Sequence, residues 1–130
     1  MFRWLFASAL VMLLLLSVGV AQVQSPSEAY QAYLAAAKKA TSLDELLPHL
    51  SKEYQAMLTA QPKDKKGVWL ERLKESADMT EVKILKETIT GDKCALEATG
   101  KSHRGMALKG KVFLVKEDGG WKLDEQVWST

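Results

Sequence analysis

Asp118-Gly119 constrains this chain more than any other pair of residues. It stands between two stretches of alternating polarity, and a two-residue type I′ turn needs φ > 0 at both central positions, which Asp-Gly tolerates. With those two residues as the loop, Leu114 faces Leu123, Lys116 faces Trp121 and Gly110 faces Val127. One face of the hairpin then carries Met106, Leu108, Val112, Leu114, Trp121, Leu123 and Val127. A lone hairpin is marginal in water, so this face needs a cover. Phe113, Val115 and Trp128 fall on the opposite face. Two readings stay open: the second face meets a ligand, partner or second copy, or it is the face that the helices cover.

The first 21 residues belong to a different argument. Met1-Phe2-Arg3 is basic, Trp4 to Val20 is largely apolar, and Gly19-Val20-Ala21 places small residues before Gln22. That pattern predicts a secretory signal peptide over residues 1–21 and an exported protein, periplasmic or secreted. The alternative is a retained anchor, although the apolar run falls just short of the ~20 residues a spanning helix needs. Cleavage leaves 109 residues, enough for one domain over 22–130, and removes a single positive charge. The remaining charge is close to balanced, which argues against nucleic acid as a partner. Cys94 is the sole cysteine, so an exported domain has no internal disulfide, and the residue reads as a small buried hydrophobe on a strand.

Between these ends the chain divides by period. Ser25-Pro26-Ser27-Glu28 combines a capping box with proline at the first helical position, and Tyr30, Tyr33, Leu34 and Ala37 form an apolar stripe to about Ala40. Ser42-Leu43-Asp44-Glu45 is a second capping box. It opens a helix that Pro48 kinks and Ser51 restarts, to about Ala60. Gln61 to Gly67 reads as a linker and Val68 to Asp78 as a third helix. Beyond Met79 the period becomes 2. Strands are expected over Glu81–Thr90, Lys93–Lys101, Met106–Glu117 and Trp121–Trp128, with a bulge where apolar parity switches between Ile84 and Leu85. Helices followed by strands imply an α+β fold: N-terminal helices packed on a four-stranded antiparallel meander.

This order resembles a small exported nuclear transport factor 2-like domain of the cystatin-like α+β class. Val112 to Glu125 (VFLVKEDGGWKLDE) is similar to the closing hairpin of such domains, and Gly91-Asp92-Lys93-Cys94-Ala95 to the turn that precedes it. The resemblance covers roughly residues 26–128. It implies a curved, cone-like sheet wrapped around a helix, with an open mouth. Ketosteroid isomerase, polyketide cyclases and many binding or accessory domains share that shape, so fold alone does not choose an activity.

A cone enzyme needs a carboxylate base and a hydrogen-bond donor converging in an apolar pocket. The candidate acids are Asp44, Asp78, Asp124 and Glu125, and the donors Tyr30, Tyr33, Tyr54 and His103. No Asp or Glu stands on an apolar stripe, which disfavours catalysis. His49 and His103 lack ligand spacing, so no metal site is expected. No phosphate-cradling glycine loop, nucleophile elbow or Cys/His pair is present, and no cofactor is implied. The aromatic residues carry the strongest hint of binding. The favoured expectation is a non-enzymatic binding or accessory domain for a small apolar ligand or a protein partner, with Tyr33, Tyr54, Trp69, Met106 and Trp128 as lining residues. A cone enzyme and a homodimer through Phe113, Val115 and Trp128 are the alternatives.

Overall fold

In the computed structural model, which describes residues 24–130, helices come first and an open four-stranded antiparallel sheet follows. The expected signal peptide lies outside the described residues. Helix α1 (Pro26–Lys39) starts where the capping box places it. The Glu28 N–H donates to Ser25 Oγ and the Ser25 N–H to Glu28 Oε1, both at 3.1 Å. Its stripe of Ala29, Tyr30, Tyr33, Leu34 and Ala37 is buried. Two 3₁₀ turns (Leu43–Glu45, Leu47–His49) occupy the segment read as the first half of a kinked helix. Pro48 explains the difference: it withholds an N–H and crowds the preceding turn, so an α-helix cannot propagate through it. Helix α2 (Lys52–Thr59) begins at the Ser51 cap, as expected.

Helix α3 (Lys63–Ala77) starts five residues before the sequence suggested. The expected linker over Gln61–Gly67 is therefore corrected to a short connection. Pro62 ends the connection in an extended conformation (φ −57°, ψ 151°) and frees the next residue to enter a helix. Gly67 is then an interior helical residue. Its intrinsic cost of ~1 kcal/mol is outweighed by the packed stripe of Trp69, Leu70, Leu73 and Ala77. Among the described residues, no helix is long and apolar enough to cross a membrane.

The sheet is a meander in the order β1 (Met79–Thr90), β2 (Lys93–Ser102), β3 (Ala107–Glu117) and β4 (Gly120–Ser129). The last turn is as expected, with Asp118 at φ 52° and Gly119 at φ 77°. Leu114 faces Leu123 and Lys116 faces Trp121. The bulge expected in β1 is also present, because the pairing skips Leu85 between Ile84 and Lys86. Beyond Leu123, however, a further irregularity intervenes. Phe113 pairs with Glu125, leaving Asp124 unpaired, and Gly110 therefore faces Trp128 and not Val127. A single extra residue reverses the parity of the rest of β4.

That reversal corrects the assignment of faces. Val112, Leu114 and Leu123 are buried with Cys94 and Leu96 beneath the helices. Trp128 joins this side, whereas Val127 and Met106, both expected in the core, are 54% and 52% exposed. Phe113 and Val115 stand on the other, uncovered face, so the reading in which helices cover that face is excluded. Cys94 is buried, as expected, and burial pushes its thiol up to about 11, with the Glu87 charge adding to the effect.

Ser51 ties α2 to the β4 bulge. Its N–H donates to the Leu123 carbonyl (2.8 Å), its hydroxyl to Asp124 Oδ1 (2.7 Å), and its Oγ accepts from the Tyr54 N–H (3.1 Å). Replacing Ser51 with alanine removes the cap and leaves two partly buried groups unpartnered. A loss of about 1–2 kcal/mol is expected, read as a lower urea midpoint at unchanged m-value. A change below a few tenths of a kcal/mol would show that the cap is redundant.

Candidate functional site

A cluster of buried side chains lies between helices and sheet. Tyr30 and Tyr33 from α1 stack with ring centroids 6.0 Å apart and are almost completely buried. The Tyr30 hydroxyl donates to Gln126 Oε1 (2.8 Å) and accepts from Trp128 Nε1–H (3.1 Å). Gln126 Nε2 donates at longer range to Tyr33 Oη (3.5 Å). Burial drives both phenols above their ordinary range, and for Tyr33 the neighbouring Tyr54 and Tyr30 add to the shift. These groups are neutral hydrogen-bonding residues that satisfy one another inside the core.

The same bulge that turns Trp128 inward turns Gln126 inward too, so one β4 irregularity builds the whole cluster. Above it, a crevice of about 400 Å³ opens between α2, α3 and β4. Glu53, Tyr54, Met57, Trp69, Asp124, Glu125 and Gln126 line it. Of the residues expected to line a site, Tyr54 and Trp69 are at this crevice. Tyr33 and Trp128 lie in the core and connect to it through Gln126. Met106 is separate, exposed in the connection between β2 and β3.

The candidate acids are similarly dispersed. Asp44 is exposed on a 3₁₀ turn. Asp78 is exposed at the end of α3, 3.9 Å from His103 Nδ1. Asp124 shares the crevice with Tyr54, but one of its oxygens already accepts from Ser51. Glu125 is on the exposed side of the bulge. His49 sits against the edge of the Tyr33 ring, with centroids 6.5 Å apart. Burial first, and the Lys122 charge second, lower its pKa. Among the described residues, no group of three or more His, Cys, Asp or Glu side chains could hold a metal ion.

A second concavity lies on the uncovered face of the sheet. It encloses about 580 Å³ and has the backbone of Ala98 and Gly110 in its lining. Leu85, Phe113 and Val127 supply its apolar walls, and they are 66%, 37% and 54% exposed. Glu97, Thr99, Lys109 and Lys111 are polar members of the lining. The irregularities at Leu85 and Asp124 shape this groove. One swings Leu85 out of register in β1, and the other delivers Val127 to the outer face of β4. Alternation in the sequence places Phe113 here but not Leu85 or Val127. The parity switch at Ile84-Leu85 was a visible signal for the first, whereas nothing in the alternation of β4 marks Asp124 as an extra residue.

The fold and this groove define an α+β domain with an open meander, helices on one face and an apolar depression on the other. Neither a family model nor a curated protein nor a solved structure matches the chain.

Proposed function

We propose that the protein is an exported, non-enzymatic binding domain of the nuclear transport factor 2-like, cystatin-like kind, and that it holds a small apolar ligand in the groove on the free face of its sheet. The observation that carries this reading is the convergence of Leu85, Phe113 and Val127 on one concavity open to solvent. Exposing large aliphatic side chains in one contiguous depression forgoes ~25 cal/mol for every Å² of apolar surface left in water. Contiguous exposed apolar patches, unlike singly scattered apolar residues, mark interaction sites. The volume also falls in the range of small-molecule sites. Export is supported by the sequence pattern at residues 1–21.

A cone enzyme would draw on Asp124 and Tyr54, which share a crevice with Glu53 and Glu125. Its open rim and the Ser51 hydrogen bond to Asp124 supply neither a dry pocket nor a free base. The binding reading is tested with the neutral fluorophore 1-N-phenylnaphthylamine. The expected result is saturable binding to the wild-type chain, weakened at least tenfold by the double substitution Leu85→Ser/Val127→Ser. Both side chains are exposed, so the melting temperature should hold. Binding that survives the double substitution unchanged would place the ligand elsewhere, and an absence of binding would remove the groove as an apolar site.

A further inference from the structure

Strand pairing organises the charges around the groove in a way that composition does not show. Cross-strand neighbours on the uncovered face form two adjacent rows, Lys83–Thr99–Lys109–Ser129 and Lys86–Glu97–Lys111–Val127. Four lysines and one carboxylate therefore occupy these rows, in a chain whose overall charge is only +2. Glu97 has Lys86 and Lys111 as its two cross-strand neighbours. Lys101, at the end of the sheet, is paired with Glu81 at 3.0 Å. Lys83 and Lys109 differ from both cases: they flank Thr99 and have no acidic cross-strand neighbour. Lys83 on β1 and Lys109 on β3 flank Thr99 on β2, so an anion placed over Thr99 has a lysine on either side.

The apolar walls continue from that point. Leu85 bulges out between the two rows, Val127 ends the second, and Phe113 stands in the next row along, between Ala95 and Glu125. From the Thr99 row to the Phe113 row is four residues along a strand, or about 13 Å at ~3.3 Å per residue. Lys109 and Lys111 also line the groove, and a lysine's methylene stem adds apolar surface while its ammonium group seeks water.

We infer that the groove takes a single-chain anionic amphiphile, a medium-length acyl carboxylate, with its head group at Thr99 between Lys83 and Lys109 and its chain lying over Leu85, Val127 and Phe113. The inference rests on the groove being the binding site. It selects the occupant by charge complementarity. A second copy stacked on the same face by a two-fold axis would set lysine rows against lysine rows. A flat bilayer surface does not fill a depression whose floor is the backbone of Ala98 and Gly110.

The test is displacement of 1-N-phenylnaphthylamine from the full chain by dodecanoate and, in parallel, by its methyl ester. At low ionic strength dodecanoate should compete about tenfold more tightly than the ester, the sum expected of two solvent-screened ion pairs. Added salt should narrow the gap as the Debye length shortens. In Lys83→Gln/Lys109→Gln, dodecanoate should fall to the level of the ester while the ester is unchanged. Equal competition by acid and ester would overturn the anionic occupant, a preference for the acid that survives the lysine substitutions would overturn the head-group site between Lys83 and Lys109, and either result leaves the apolar groove standing. Failure of the fluorophore to bind at all would overturn both readings. Association with phosphatidylglycerol vesicles without displacement by dodecanoate would overturn the single-chain occupant.

Discussion

Gly110→Ala is expected to destabilise the protein by about 2–3 kcal/mol, lowering its melting temperature by roughly 10 °C or more. The reason is local and steric. Trp128 lies flat across β3 at its pairing partner, so a Cβ on residue 110 would meet indole Cδ2, Cε2 and Cε3 at 2.5–2.6 Å. The same ring reaches β2, where a Cβ on Gly100 would stand 3.6 Å from Cζ3. The contact at residue 110 is with a rigid ring, not the end of a flexible chain, so the indole has to move as a body. Moving it withdraws the Nε1–H from Tyr30 Oη and from Gln126 Oε1. The cost is then a clash plus the loss of bonds within a buried polar cluster. Thermal melts of the two proteins measure the effect, and the indole N–H resonance of Trp128 should shift with it. An unchanged melting temperature would mean that the indole is not seated on Gly110.

Much of this architecture is legible in the residues. The Ser25 and Ser51 caps, the Tyr30–Tyr33–Leu34–Ala37 stripe, the Asp118-Gly119 turn and the alternation of Lys93 to Lys101 each bring their own local signal, and each element forms where that signal places it. The failures have a common origin in features without one. Pro62 and Gly67 both suggest a break, yet helix α3 runs through Gly67 because its apolar stripe packs on the core. Pro48 marks the interruption, but the parallel bridge from Leu50 to Leu123 that follows the pair of 3₁₀ turns joins segments 73 residues apart and has no local signal. Asp124 is the sharpest case. It is anchored by Ser51, which is 73 residues away in sequence. No window of β4 alone could show that it would be skipped in pairing. Since the bulge decides the facing of Gln126, Val127 and Trp128, both candidate sites changed with it: Trp128 left the binding face for the core and Val127 took the opposite course.

That exchange can be measured directly. Leu123→Ala is expected to cost about 3 kcal/mol and Val127→Ala no more than ~0.5 kcal/mol. Simple alternation places these two residues on one face, four apart, and so predicts comparable losses. In the bulged strand they part company. Leu123 is 1% exposed, faces Leu114, bridges Leu50 and gives its carbonyl to Ser51, so truncation opens a cavity where helix and sheet meet. Val127 is 54% exposed in the outer groove, and its truncation removes surface that water already reaches. Urea titrations of both variants, with m-values held to the wild-type slope, give the two numbers. Equal losses would rule out the bulge at Asp124 and return Val127 to the core face. The expected inequality has a further consequence. A valine that contributes little to stability, in a groove where Leu85 is equally unsupported, is a residue whose contribution must be sought in binding. Val127→Ala should therefore weaken retention of an apolar probe in the protein whose stability it leaves intact.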